Sequence, residues 1–244
     1  MTSTQASPTY PLAGSVFLDT GDAEVARREM SKILAPHAMI PAPGPGPFHA
    51  RHHHARLAGM SVNYIQYRPG ATISADLSRR FFLIYYVLNG TCDLGAEPSS
   101  RILHSGDIAV INPTEPFALR TSDDCGQIVI KLESKVLSEI AVRRFSLPAD
   151  EPIRFEASIA GARDTSLASV IDLICREADR IGHGDTGQRT EHMLAELFSV
   201  ALIEYLPHNY SDALHPPSQE SGIAPWYVKR VEEFIELHAG APLN

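Results

Sequence analysis

The sequence predicts an α+β protein in which a small jelly-roll β-barrel is followed by a helical region. Between residues 48 and 133, short runs with a hydrophobic period of two alternate with turn signals, as is typical of an all-β unit. Beyond residue 133 the hydrophobic period becomes that of helices. With 44% hydrophobic and 20% charged residues in a chain of 244, a buried core is expected and no segment is apolar enough to span a membrane.

Residues 1–47 are predicted to hold one surface helix and a stiff connector. Asp22 is suited to cap a helix that runs through "AEVARREMSKIL" until Pro36 ends it. The connector is "PAPGPGP" (Pro41 to Pro47), in which neither helix nor strand is expected.

Residues 48–133 are predicted to form the barrel. Turn signals follow one another at Pro69-Gly70, Asn89-Gly90 and Ser105-Gly106-Asp107. Because the strands between the turns are short and evenly spaced, with no helices among them, a closed or double-sheet arrangement is favoured over a parallel sheet. A jelly roll fits this pattern best.

Residues 134–206 are predicted to form three helices. The last and most apolar of them, "TGQRTEHMLAELFSVALIEYL", has hydrophobic side chains on more than one face. Either this helix is fully buried in a monomer, or one of its faces contacts a second subunit. We expect a homodimer, with the contact formed by Leu194, Leu197, Phe198, Ala201 and Tyr205.

The last part of the chain is predicted to be a polar linker, residues 207–225, and one more helix, residues 226–244. Leu243 and Asn244 have the pattern of a hydrophobic staple residue and an N-cap for a following helix. We therefore expect that the chain is cut inside a further domain.

Composition and short motifs exclude several classes of function. The net charge of −8 argues against tight binding of nucleic acid by this part of the protein, because phosphate contacts need clustered Lys and Arg. The N-terminus lacks a secretion signal, which predicts a cytoplasmic location. Cys92, Cys125 and Cys175 form no C-x-x-C pair, so neither a disulfide framework nor a zinc ribbon is expected. No nucleotide-binding or nucleophile motif predicts a catalytic residue or a cofactor.

A cluster of basic side chains lies at the start of the predicted barrel. "HARHHHAR" (His49 to Arg56) contains four histidines and two arginines. On a strand, His52 and His54 share one face, whereas Arg51 lies on the other. The cluster is open to three interpretations: a metal site, a cationic pocket for a small anion, or a polar strand face in solvent. We favour the anion pocket, because arginine binds a carboxylate through two parallel hydrogen bonds.

Four stretches resemble the AraC/XylS family of bacterial transcription regulators, most closely the branch that responds to aromatic acids. They are "RHHHARLAGMSVNYIQYRPG", "FFLIYYVLNGTCDL", "LHSGDIAVINPTEPFALRTSDDCGQIVIKLES" and "PIRFEASIAG". The resemblance implies a cupin-like barrel that binds a small effector, a helical region that dimerises, and a C-terminal domain of two helix-turn-helix units. That domain contacts promoter DNA and RNA polymerase in the family, and only its first helix, residues 226–244, is expected in this sequence.

A metal-dependent cupin enzyme, such as a dioxygenase or an isomerase, is the alternative. Such an enzyme holds its metal with two histidines one residue apart, a nearby glutamate and a third histidine after a Gly-Asp turn. His52 and His54 have the first spacing, but no carboxylate follows them, and Phe117 lies where the third ligand is expected. We therefore expect no bound metal and no enzymatic activity.

The predicted effector is a small aromatic carboxylate or phenol held inside the barrel. A basic group of the segment 51–56 is expected to meet its anion, and aromatic side chains of two further strands are expected to line its ring. Aromatic residues on such strands are more often plain core, so this remains one of two interpretations. The predicted effector-binding residues are Arg51, His52, His54, Arg56, Tyr64, Tyr85 and Tyr86.

Overall fold

A computed structural model describes residues 10–75, 80–95, 100–113, 115–156, 160–161, 166–181 and 187–215. The chain divides into two compact units, Met1–Tyr210 and Ser211–Asn244. In the second unit only one short helix and His215 are described, and the predicted helix 226–244 lies outside the described residues.

The first unit contains twelve strands and four helices in the described residues. The strands are β1 Val16–Thr20, β2 Ala38–Pro41, β3 His49–Leu57, β4 Met60–Arg68, β5 Ala71–Ala75, β6 Phe81–Asn89, β7 Thr91–Leu94, β8 Arg101–His104, β9 Asp107–Ile111, β10 Phe117–Thr121, β11 Gly126–Glu133 and β12 Ala160–Gly161. The helices are α1 Ala23–Ile33, α2 Ser134–Phe145, α3 Ser166–Ile181 and α4 Gln188–Tyr205; the second unit has α5 Ser211–Leu214.

The strands form two antiparallel sheets that face each other across one core. One sheet has the order β1-β3-β4-β11-β6-β9-β12 and the other β2-β5-β10-β7-β8. Ile65 and Tyr85 of the first sheet and Ile73 and Leu119 of the second belong to the same buried cluster. The predicted α+β class with a jelly-roll barrel is confirmed.

The first 47 residues contribute more to the barrel than their sequence pattern predicts. Helix α1 begins after Asp22, whose side chain accepts hydrogen bonds from the amides of Glu24 and Val25, so the predicted cap is correct. However, β1 pairs with β3 and β2 pairs with β5. Both are short edge strands with exposed apolar side chains, such as Val16 and Ile40, which hides the alternation typical of a strand.

Helices α2 to α4 cover the outward face of the seven-stranded sheet. Helix α3 contacts β3 and β4, α2 contacts β6 and β11, and α4 packs against both helices. The sheet side chains beneath them are fully or nearly fully buried: Tyr64, Ile84, Ile128, Ile130 and Leu132. No helix in the described part of the chain is long and apolar enough to cross a membrane.

Candidate functional site

The alternation of strand β3 divides its basic side chains between two faces. Ala50 belongs to the core between the sheets, and His52 is the register partner of Ile65, which belongs to it too. His52, His54 and Arg56 therefore share the inward face, whereas Arg51 lies on the outward face.

The predicted tyrosines are divided in the same way. Tyr85 pairs with Val129 and lies in the barrel core. Tyr64 and Tyr86 both pair with Ile128, on the face that the helices cover. The structure therefore brings His52, His54, Arg56 and Tyr85 to one face and does not place Arg51, Tyr64 and Tyr86 with them.

On the outward face, Arg51 already has partners within the protein. Its Nε donates to Asp19 Oδ2 at 3.0 Å, and its guanidinium lies 4.2 Å from the centre of the Tyr10 ring. Tyr10 also stacks against Tyr64, with 5.6 Å between ring centres. Burial raises the pKa of Tyr64 to about 12. These contacts fix the N-terminal segment on the sheet and explain Arg51 without a ligand.

On the inward face, two histidines share one asparagine. His52 Nε2 and His54 Nδ1 each lie 2.9 Å from Asn63 Oδ1, and Asn63 Nδ2 donates to the carbonyl of Val129 at 2.9 Å. Because a carbonyl can only accept, the amide orientation of Asn63 is set, and both imidazoles must donate to its oxygen. Burial lowers the pKa of His52 to about 4 and lowers that of His54 as well, so His52 is neutral near pH 7.

This arrangement does not resemble a metal centre. No three His, Cys, Asp or Glu side chains of the described residues are grouped so that they could hold a metal ion. Phe17 contacts both imidazoles edge-on, with its ring centre 5.2 Å from His52 and 5.9 Å from His54.

A cationic cavity of about 260 Å³ opens beside His54 at the end of the barrel. Besides His54, it is bordered by Arg56 and Lys131 and by Lys32 of α1, with Glu133 as the acidic side chain in the wall. Arg56 is exposed and makes no ion pair with any residue that the structure describes. The sequence cluster pointed to Arg56 and His54, whereas the lysines are isolated in the sequence and only folding brings them there.

Lys131 joins this cavity to helix α1. Its Nζ donates to the carbonyls of Ile33 at 2.8 Å and Leu34 at 3.0 Å, at the C-terminal end of the helix. It also lies 4.3 Å from the centre of the Phe81 ring. Burial lowers the pKa of Lys131. A cation held at a helix C-terminus stabilises the last carbonyls and the helix dipole.

A second and much smaller cavity, of about 30 Å³, lies inside the barrel. Leu34, Ala35 and His37 border it, so the segment from Lys32 to His37 forms part of the wall of both cavities. The other bordering residues come from the two sheets: Ile65, Tyr67, Ile73, Ala75, Leu83, Tyr85, Phe117, Leu119, Gln127 and Val129.

A family model described as the AraC-binding-like domain matches residues 26–203, which include nearly all of the barrel and most of the helical region. The chain belongs to this family.

Relatives of this AraC-binding-like domain include regulators from Pseudomonas putida. The XylDLEGF operon transcriptional activator 1 is 24% identical over 186 residues, which cover 76% of this chain and 55% of that protein. The XylDLEGF operon transcriptional activator 3 is 22% identical over 183 residues, covering 75% and 53%. The chain thus spans about half the length of these curated relatives.

A solved structure shows the same fold. It is that of the AraC-like transcriptional activator CuxR, with 12% identity and a TM-score of 0.54, covering 94% of this chain and 81% of that one.

Helix α4 of the AraC-binding-like domain divides the residues predicted for dimerisation into two sets. Leu194, Phe198 and Ala201 are buried within the protomer, whereas Leu197 and Tyr205 are 40% and 51% exposed. Met193, which is not one of the five residues predicted for the contact, is the most exposed large apolar side chain of α4 at 64%. Met193 and Leu197 are four residues apart and therefore share a helix face.

Proposed function

We propose that this chain is the effector-binding and dimerisation region of a cytoplasmic transcription regulator of the AraC/XylS type, and that it takes a small aromatic organic acid. The observation that carries the proposal is the cationic cavity at the end of a barrel lined with aromatic side chains. Promoter DNA and RNA polymerase are contacted by other parts of the protein. The chain binds its ligand and does not transform it.

Charge is the first support for an acidic ligand. The whole chain has a net charge of −8, so a small anion is retained only where positive charge is concentrated. The cavity brings Lys32, Arg56 and Lys131 around one space with His54. No ion pair within the described part of the chain engages Arg56, and its guanidinium can bind a carboxylate through two parallel hydrogen bonds.

Size and lining are the second support. A cavity of about 260 Å³ is close to the lower end of the range for small-molecule sites, roughly 300 Å³ and above. Ile33, Leu57 and Met60 supply apolar side chains in its wall, and the Phe81 ring lies close to Lys131. A single ring with one acid group matches this space better than a sugar chain or a nucleotide.

Paired ligands and paired variants test the proposal. We expect benzoate to bind and benzamide to bind far more weakly, because only the acid carries the charge that Arg56 meets. Arg56→Gln should weaken benzoate on the order of tenfold, as expected for one lost charged hydrogen bond. Arg51→Gln is the control, because it removes the same charge from the same strand on the opposite face. The measurement is calorimetric titration of the full chain.

Two results would contradict the proposal. One is equal affinity for the acid and its amide; the other is a loss of affinity in Arg51→Gln that equals the loss in Arg56→Gln. A ligand that binds only the folded state must also raise the melting temperature, which gives an independent check on each titration.

The proposed homodimer uses the exposed face of α4. Met193 and Leu197 lie on it without cover within the protomer, and a two-fold axis through this face would bury both against their copies. Leu194, Phe198 and Ala201 contribute by supporting the helix from beneath.

A further inference from the structure

Three hydrogen-bond acceptors inside the barrel have no partner among the described residues. They are His37 Nε2, His52 Nδ1 and Gln127 Oε1, and each atom is buried. The His52 side chain is fully buried, and Gln127 is only 2% exposed. A buried polar atom without a partner destabilises the fold by about 1–3 kcal/mol, so each of the three requires an explanation.

The protonation of His52 is determined by its neighbours. Its Nε2 carries the proton that it donates to Asn63, as the contact between Asn63 and Val129 requires. In a neutral imidazole the other nitrogen then has a lone pair and no proton. His52 Nδ1 is therefore an acceptor.

The protonation of His37 is determined in the same way. Its Nδ1 lies 2.8 Å from the carbonyl of Ala35, which can only accept, so Nδ1 carries the proton. Burial lowers the pKa of His37. The buried Nε2 is an acceptor, as is the carbonyl oxygen of Gln127.

Two of the three acceptors border one cavity, and the third lies on the same inward face. His37 and Gln127 border the same 30 Å³ cavity. His52 pairs with Ile65, and Ile65 pairs with Gln127, so the three form a row across β3, β4 and β11 on the inward face. A space of this size holds a group comparable to one water molecule.

Resting on the proposed function, we infer that the effector carries a hydroxyl or amino group on its ring. A hydroxyl donates one hydrogen bond, to Gln127 Oε1 or His37 Nε2 at the small cavity, and an amino group can donate to both. The acid group lies in the cationic cavity, and the segment from Lys32 to His37 borders both cavities. The ligand class is a hydroxy- or amino-substituted aromatic acid. A site with buried acceptors discriminates strongly against an analogue that lacks the donor.

The test compares acids that differ only in the donor. Benzoate, the three monohydroxybenzoates and the three methoxybenzoates are titrated into the full chain and into Gln127→Met. We expect one hydroxy acid to bind about tenfold or more tightly than benzoate and its methoxy counterpart. In Gln127→Met this preference should disappear while the affinity for benzoate is kept. Gln66→Met, a change of the same kind on the outward face of β4, should retain the preference.

The outcomes separate this inference from the proposed function. If all seven acids bind with equal affinity and their binding still depends on Arg56, the effector needs no donor group, and the inference is wrong. The proposed binding of an acid is then unaffected, and trapped water satisfies the buried acceptors. Binding of none of the acids would overturn both. If Gln127→Met does not fold, His37→Phe, in the loop after α1, provides the same comparison.

Discussion

His52 links the stability of the barrel to pH through a single buried imidazole. Its pKa in the folded protein is about 4, below the ordinary value of 6.5, because burial disfavours its charged form. Between these values the unfolded chain binds more protons than the folded chain. The contribution of neutral His52 to the free energy of unfolding is therefore complete above about pH 6.5 and is lost as the pH falls towards 4.

We predict that the free energy of unfolding falls by on the order of 3 kcal/mol through His52 over this range. His52→Gln keeps an N–H that can donate to Asn63 but does not titrate, so its stability should depend less on pH. Urea unfolding of both proteins at several pH values between about 7 and 4 measures the difference. Because His37, His54 and the carboxylates titrate in both proteins, only the difference between them reports His52. If the free energy of unfolding depends on pH in the same way in both proteins, the prediction is wrong.

At the scale of elements, strand β3 illustrates what a sequence pattern can determine. The alternation of its residues correctly predicts a strand and two sets of basic side chains, one with His52 and His54 and one with Arg51. Which set points inward depends on the partner strands, because a shift by one residue exchanges the faces. Edge strands β1 and β2 were missed, since short strands with one partner have little need for a hydrophobic period.

The sequence pattern of helix α4 likewise does not show which of its apolar side chains are buried within the protomer. The structure does show this, and it allows a prediction. Its composition indicates two contacts, but only the fold separates Leu194, which is 7% exposed, from Leu197, which is 40% exposed. We predict that Leu197→Lys converts a dimer into a folded monomer, because the new charge is repeated across the two-fold axis. Leu194→Lys should instead lower the melting temperature strongly, because it buries a charge within the protomer.

Light scattering measures the mass of each protein, and circular dichroism shows whether it is folded. The expected result is a dimer mass for the unchanged chain, a monomer mass with native dichroism for Leu197→Lys, and a loss of folded structure for Leu194→Lys. A monomeric unchanged chain at micromolar concentration, or an unchanged mass for Leu197→Lys, would remove α4 as the dimer contact.

For the whole molecule, the candidate site depends on residues that are distant in the sequence. Lys32 and Lys131 border one cavity with Arg56, yet the three are far apart in the sequence, and only the packing of α1 against the barrel brings them together. The sequence predicted the barrel and named residues on one side of the candidate site. It could not reveal the other side, because an isolated lysine in a helix or strand is most often a solvated surface residue.

The last prediction separates a binding protein from a metal-dependent cupin enzyme. We expect metal analysis of the purified chain to find well below one equivalent of iron, manganese, nickel or zinc. We also expect dialysis against a chelator to leave the melting temperature and the affinity for aromatic acids unchanged. The reason is the donor set: no three His, Cys, Asp or Glu side chains of the described residues are grouped so that they could hold a metal ion, and a first-row metal requires several such ligands close together. The control is Asn63→Asp, which supplies the missing carboxylate between His52 and His54 and should gain affinity for zinc. A stoichiometric metal in the unchanged chain, with a melting temperature that falls on its removal, would instead support the enzyme.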